Sequence, residues 1–431
     1  MVLDCLARAL RDGGARLPLL VTMFDDGRGL TPAIDAIPKE VWRPGRSRWI
    51  CDHARRWLLP MFPIAVDVLS RRLECRVRGD LGRDAGAQRE GLRVADDGAM
   101  PDLLLSTSSA AIKSLRAPDG VPHVCYIHAP ARYIWSLGRE YGAKGRWDLA
   151  GRARQWGLSL ARGPMRAWDR RTASRVTRFI ANSAHIARQV RACYGVEARV
   201  VHPPVRTRYF TPSATATDRR AWLVVSALEP YKRVDVAIEA ARHAGRDLVI
   251  VGDGSQRERL MAMARSGAGP GVRFEGRVSL ERLRELYRGA RALIFPQVED
   301  FGIAAVEAQA CGTPVIARAA GGALETVIDG VTGVLVPEHD GDPAAMARAF
   351  AQADARLDVI GQNAIGQNAI GQNAIGQNAI GQDACVRHAA RFGEEAFVRA
   401  MADALADVAP SVAEALRRGP PPGPGSVLGF Q

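Results

Sequence analysis

Glu299 and Glu307 stand eight positions apart in the segment Glu299-Asp300-Phe301-Gly302-Ile303-Ala304-Ala305-Val306-Glu307. A β-type run, Ala292–Phe295, gives way there to a loop and then to a helical pattern that opens at Gly302 and Ile303. The free amides and positive dipole end of a helix start favour an anion. Glu299 can reach across that mouth, while Glu307 lies about a turn and a half inside the helix. One carboxylate can meet a sugar and the other a second set of hydroxyls. Lys232 and Arg233 follow another β-type run, in Glu229-Pro230-Tyr231-Lys232-Arg233. An ammonium and a guanidinium at a strand's carboxyl end can hold a diphosphate. His128 closes a third run, Cys125-Tyr126-Ile127-His128-Ala129-Pro130, with Arg132, Tyr133 and Trp135 just beyond it. Cationic and aromatic groups gathered there suit a polar ligand such as a sugar. Each feature also has an ordinary reading, as surface charge, an acidic helix turn or a satisfied histidine. Their recurrence at strand ends favours a site.

The elements that must position these groups are clearest between Ala221 and Pro337. Trp222–Ser226, Asp247–Val251, Gly271–Phe274, Ala292–Phe295, Pro314–Ala317 and Val334–Pro337 read as strands. Helical patterns at Val234–Ala241, Gln256–Arg265, Leu280–Gly289 and Ile303–Ala310 separate them. Strict alternation of strand and helix predicts a parallel, doubly wound sheet, whose ligands sit at the carboxyl ends of the strands. Gly252-Asp253-Gly254, Val298–Gly302 and, more weakly, Gly321-Gly322 are site loops on that argument. In the first half, Leu3, Leu6, Ala7 and Leu10 follow helical spacing. Leu17–Met23, Leu103–Leu105, His123–His128, Arg178–Ala181 and Arg199–His202 read as further strands. His202-Pro203-Pro204 can continue neither element type and marks a domain boundary. The expected layout is an N-terminal α/β domain over 1–204 and a C-terminal one over 205–384. A helical segment at 385–410 and a disordered tail over 411–431 follow.

Composition fits a globular chain of 431 residues, 47% apolar and 24% charged, which excludes collagen-like, coiled-coil and wholly disordered classes. Fifty-nine basic residues against 46 acidic leave +13, so an anionic partner is expected: nucleic acid, an acidic membrane face or a phosphorylated substrate. Seven scattered cysteines without a C-x-x-C pair suggest neither a disulfide framework nor a zinc site. The most apolar run, Trp57–Leu69, is far shorter than the ~20 residues a membrane span requires. A cytoplasmic protein is expected.

Three segments stand apart. Ser70–Asp102 reads as a surface loop or insertion. Residues 360–384 hold four copies of I-G-Q-N-A and one of I-G-Q-D-A, whose isoleucines share no helical face. Between Trp42 and Phe62, basic and aromatic residues suggest a surface resting on anionic lipid, extended by the basic run Arg139–Arg171.

The motifs S-A-L-E-P-Y-K-R-V-D, V-G-D-G, F-E-G-R, E-x₇-E at Glu299 and Glu307, C-G-T-P-V-I-A and G-G-A-L-E-T-V together resemble the retaining glycosyltransferases of family 4. That resemblance implies the GT-B fold: two Rossmann-like, doubly wound parallel-sheet domains facing across a cleft. C-Y-I-H-A-P-A-R-Y-I-W-S and F-I-A-N-S resemble bacterial mannosyltransferases that use GDP-mannose in O-antigen and exopolysaccharide synthesis. The resemblance implies that Glu299 bonds the donor sugar and Glu307 the ribose. Lys232 and Arg233 would neutralise the leaving diphosphate, Gly302 and Ile303 would offer amides, and His128 would contact the transferred sugar. The base would lie along a Phe274–Arg277 loop, and Arg132 would line the substrate side. It further implies retention of configuration, no metal or other cofactor, and a lipid-linked saccharide acceptor. Peripheral association with the inner face of the plasma membrane and no nucleic-acid partner complete the expectation.

Two departures qualify the resemblance. Ala227 stands where many members carry Arg, and the first domain is expected to lack the initial strand and Gly-Gly loop that precede the first helix in the family. The alternatives are an inactive relic that at most binds nucleotide sugar, a family 4 transferase using a UDP-sugar, or a nucleic-acid binder.

Overall fold

The computed structural model describes residues 1–15, 19–22, 31–37, 39–41, 61–77, 100–108, 111–135, 162–214, 219–266, 269–339, 341–367 and 379–419. The chain divides after His202 into two compact units, and residues 398–422 belong with the first.

The second unit carries one six-stranded, wholly parallel sheet. Its strands are β7 (Trp222–Val225), β8 (Leu248–Val251), β9 (Val272–Gly276), β10 (Ala292–Phe295), β11 (Val315–Arg318) and β12 (Gly333–Val336). They lie in the order β12-β11-β10-β7-β8-β9. The order reverses between β7 and β10, which makes the sheet doubly wound and opens a crevice beyond their carboxyl ends. The near-continuous apolar runs follow from burial on both faces. Trp222, Val224, Leu248, Ile250, Ala292 and Ile294 pack into one core with the helices Val234–Ala244 and Pro343–Gln367. Alternate residues Leu223, Val249, Leu293 and Phe295 enter the opposite core, with Leu280–Gly289 and Ile303–Ala310. Asp354 fastens the sheet to the long helix: its carboxylate accepts from the Trp222 indole at 2.9 Å, from Arg291 at 2.8 Å and from Arg246 at 2.9 Å.

The first unit holds a four-stranded parallel sheet, β3 (Leu104–Ser108), β4 (His123–Ile127), β5 (Arg178–Ala181) and β6 (Ala198–Val200), with the strands side by side in chain order. Among the described strands of this sheet the order shows no reversal. A separate parallel pair, β1 (Leu20–Thr22) with β2 (Lys39–Val41), follows the helix Val2–Asp12. Lys113 and Asp169, both with wholly buried side chains, form an ion pair at 3.0 Å. The Trp135 indole and the Tyr194 hydroxyl also donate to Asp169 Oδ2, at 2.7 and 2.9 Å. Burial pushes the Lys113 ammonium's pKa down, while the adjacent carboxylate opposes that shift.

Two expectations change. Ser70–Val77 is not loop but the second half of the helix Phe62–Val77. Leu69 and Leu73 are buried at helical spacing, and the Ser70 hydroxyl donates to Val66 O at 2.7 Å. Residues 411–418 are not tail, because Pro410–Arg418 is a helix that buries Ala413, Ala415 and Leu416. The repeat is helical where it is described: Pro343–Gln367 runs into it and Ala379–Ala390 runs out of it. The basic-aromatic stretch falls outside the described residues over 42–60, as does 139–161 of the second basic run. Within the remainder of that run, a helix over 162–172, Arg166 donates to Ile134 O and Trp135 O at 2.8 and 3.2 Å.

Lys113→Ala leaves a buried carboxylate uncompensated and is expected to cost about 3–5 kcal/mol in denaturant unfolding. The double variant Lys113→Met/Asp169→Leu should recover most of that loss. Equal loss in both would show that the charge is not the cause.

Candidate functional site

The crevice at the β7/β10 reversal gathers Lys232, Arg233, Glu299, Gly302 and Ile303 of the sequence-predicted groups. Beyond β7, Pro230–Lys232 forms a single 3-10 turn that leads into the helix Val234–Ala244. Pro230 at the turn's first position fixes its φ without losing a needed N–H. Beyond β10, residues 296–302 lead into Ile303–Ala310. The two loops meet through an ion pair between Lys232 Nζ and Glu299 Oε1. The side chains remain 13% and 19% exposed, so each is held yet open to solvent on one side. Gln297, 2% exposed, places Nε2 at 3.5 Å from the same Glu299 oxygen, and its own Oε1 has no partner among the described residues.

Gly302 caps the helix at φ +100°, a conformation open to glycine and strained for other residues. A Cβ there would also lie 3.2 Å from the Phe295 ring. Gly321 and Gly322 pack directly against the backbone of the Glu299 loop. A Cβ on Gly321 would sit 2.5 Å from Glu299 O, and one on Gly322 2.3 Å from Phe301 Cα. Gly322 N–H donates to Glu299 O at 2.8 Å. The pair therefore lets one protein loop press against another and fixes the backbone that carries Glu299. The Gly252–Gly254 loop likewise supports the β7 loop: Leu228 N–H donates to Asp253 O at 2.9 Å, and Ser255 Oγ donates to Glu229 Oε2 at 2.7 Å.

Arg233 is the one non-glycine with positive φ among the described residues, at +52°. Its Nε lies 3.4 Å from Asp235 Oδ1. Ile303, half-buried, opens the helix beside Gly302. Glu307 is not beside Glu299 at the mouth: it is buried, and Oε2 accepts from the Tyr287 hydroxyl at 3.0 Å. Burial raises its pKa to about 7, against the lowering influence of that hydrogen bond and of Arg206. Phe274 does not lie in a loop. It sits within β9, which extends to Gly276, and its ring packs on the sheet core. Alternation along a strand turns Phe274 inward, so only Arg277, exposed just past the strand, remains of that predicted base site.

In the first unit, His128 follows β4, with Arg132 at the start of the short helix Arg132–Trp135. Burial lowers the His128 pKa to about 4, so the imidazole is neutral at ordinary pH. Asn182 Nδ2 donates to His128 O at 3.1 Å, while Ser183 caps the next helix by accepting from Ile186 N–H at 3.1 Å. Asn182, Tyr287 and Gln297 were missed as supporting residues. The F-I-A-N-S match pointed toward Asn182, but no local pattern singles out the other two.

Two parallel-sheet α/β units, the second doubly wound with a cation, a carboxylate and a helix start at its reversal, fit the GT-B fold. The comparisons carry this further. Residues 6–209 match the family described as Glycosyltransferase Family 4, and residues 205–369 match Glycosyl transferases group 1. Together the two matches run over residues 6–369. D-inositol 3-phosphate glycosyltransferase of Acidothermus cellulolyticus is 39% identical over 203 residues, 41% of this chain and 45% of that protein. D-inositol 3-phosphate glycosyltransferase 2 of Catenulispora acidiphila is 29% identical over 338 residues, 66% of this chain and 73% of that protein. The chain otherwise spans about half the length of the first relatives it matches. These relatives do not carry the GDP-mannose mannosyltransferase name that the first-domain motifs suggested. Sucrose-phosphate synthase of Thermosynechococcus elongatus shares the fold at TM-score 0.65 and 17% identity, over 95% of this chain and 93% of that one. Anabaena HepE in complex with UDP does so at 0.57 and 16%, over 94% and 95%. No helix among the described residues is long and apolar enough to cross a membrane.

Two measurements probe this geometry. Glu307 binds protons more readily folded than unfolded, so its contribution to stability is present below pH 4.5 and is lost as pH rises through about 7. Glu307→Gln should therefore be more stable than wild type at pH 8, by on the order of 1–3 kcal/mol, and lose that advantage near pH 5. A pH-independent difference would contradict the assignment. Arg233→Gly should relieve about 1 kcal/mol of backbone strain in thermal unfolding, while weakening binding of inorganic pyrophosphate several-fold.

Proposed function

We propose that this chain transfers a sugar from a nucleoside-diphosphate sugar, using the β7/β10 crevice as its donor site. The observation that carries the reading is the pairing of Lys232 with Glu299 at the sheet reversal, beside the start of the helix Ile303–Ala310. A donor of this type has hydroxyls at one end and a dianionic diphosphate at the other. Glu299 accepts hydrogen bonds from the sugar. Lys232, Arg233 and the amides at Gly302 and Ile303 take the charge that builds as the diphosphate leaves, which is electrostatic stabilisation of the transition state. Glu307 bonds the ribose, and Arg277 borders the base. His128, neutral and half-buried, contacts the transferred sugar, with Arg132 nearby on the substrate side. Transfer proceeds with retention and without a metal or other cofactor.

The donor we favour is GDP-mannose, with a lipid-linked saccharide acceptor in surface-polysaccharide synthesis at the inner face of the plasma membrane. The first-domain motifs C-Y-I-H-A-P and F-I-A-N-S support it. A second reading takes a phosphorylated polyol as acceptor, and the name of the relatives, D-inositol 3-phosphate glycosyltransferase, favours it.

Calorimetric titration with GDP, GDP-mannose, UDP and UDP-glucose tests the donor, and transfer to a lipid-linked saccharide or to D-inositol 3-phosphate tests the acceptor. Selective binding of the guanosine pair is expected. Glu299→Ala should leave the fold intact and reduce transfer at least 100-fold. Near-normal turnover in that variant would sink the site, and preference for the uridine pair would replace the donor.

A further inference from the structure

We propose that Tyr287 is the positioning residue for ribose recognition, holding one oxygen of Glu307 so that the other faces the ribose hydroxyls. This rests on the donor-site reading above. Tyr287 lies in the helix Leu280–Gly289, 0% exposed, and its hydroxyl donates to Glu307 Oε2 at 3.0 Å. Glu307 Oε1 carries no hydrogen bond among the described residues and is not sealed from solvent. A carboxylate with one oxygen fixed and one free is a directed acceptor, able to take two vicinal hydroxyls.

The tyrosine is itself held from two sides. Thr313 Oγ1 donates to Tyr287 O at 2.5 Å, and the Phe210 ring meets the Tyr287 ring edge-on at 5.6 Å. Its ring cannot turn away without opening the core around Leu223, Leu293 and Phe295. The hydroxyl also matters to charge. The groups around the carboxylate are Tyr287 from Leu280–Gly289, Arg206 from the segment before β7, and Cys311 at the end of its own helix. Tyr287 and Arg206 favour the ionised form against burial. Loss of the hydroxyl removes one of these supports, so protonation moves to higher pH and the acceptor weakens at neutrality.

The experiment uses the full chain and pairs of ribonucleotides with their 2′,3′-dideoxy forms, GDP and UDP alike, from pH 5.5 to 8.5. Wild type is expected to bind the ribo form about ten-fold more tightly at pH 8, with the ratio declining as pH falls through 7. In Tyr287→Phe the ratio should shrink to two- or three-fold at pH 7 and its decline should move to higher pH. The dideoxy affinity and the unfolding midpoint should be little changed. An unchanged ratio and pH profile in the variant would overturn the proposal, and so would equal weakening of both forms, the mark of a merely structural residue. Wild-type protein that binds both forms equally would remove ribose from Glu307 and the proposal with it. Failure of either nucleotide to bind wild type would instead bring down the donor site as a whole.

Discussion

The Lys232–Glu299 ion pair is the contact that joins the two loops at the reversal of the second unit's sheet, and the proposed donor site depends on it. Opposite charges a few ångströms apart at a partly exposed position attract by a few kcal/mol at most. That is enough to hold two loops together and little enough for a ligand to replace. On the proposed function, a diphosphate would offer the ammonium a stronger anion, and sugar hydroxyls would offer the carboxylate donors in return. The pair thus keeps both groups organised without a ligand and leaves each able to change partner.

Such a pair needs loops whose backbones do not drift, and the structure supplies this through close packing. The Glu299 loop lies against Gly321 and Gly322, where no side chain would fit, and the Lys232 loop is tied to the 252–255 segment by backbone and Glu229 hydrogen bonds. Beneath both is a sheet buried on each face, and Asp354 binds β7 to the long C-terminal helix. Burial works against the Asp354 charge, yet hydrogen bonds from Arg291 and Trp222 hold its carboxyl below the usual carboxylate range. In the first unit Lys113 and Asp169 play the comparable part. The indole of Trp135 is fastened to that pair, which fixes the segment leading away from His128. Each unit thus contains a buried carboxylate that ties together elements distant in the chain.

Much of the second unit was legible because a parallel strand covered on both faces must be a short apolar run. Ala292–Phe295, Leu280–Gly289 and Ile303–Ala310 begin and end where their residue types change. β9 was read two residues short because Glu275 and Gly276 are poor strand formers, although the pairing with β8 carries the ladder to Gly276. That shortening turned Phe274 into a loop residue. Ser70–Val77 was read as loop because its arginines hide the two buried leucines on the helix's inner face. The helix at 410–418 was obscured by the proline-rich sequence that follows it.

By itself the sequence determined the alternation of strand and helix and the placing of Glu299, Lys232, Arg233 and His128 at strand ends. These depend on local periodicity and on short contiguous motifs, which a linear chain records directly. Only the tertiary structure decided that the sheet order reverses between β7 and β10. It alone showed that Glu299 pairs with Lys232, that Gly321-Gly322 serve another loop, and that Glu307 is buried against Tyr287. Those relations join residues 20 to 70 positions apart, and no local pattern encodes which strand lies beside which. They are fixed only when the apolar faces are buried and the polar groups caught among them must find partners.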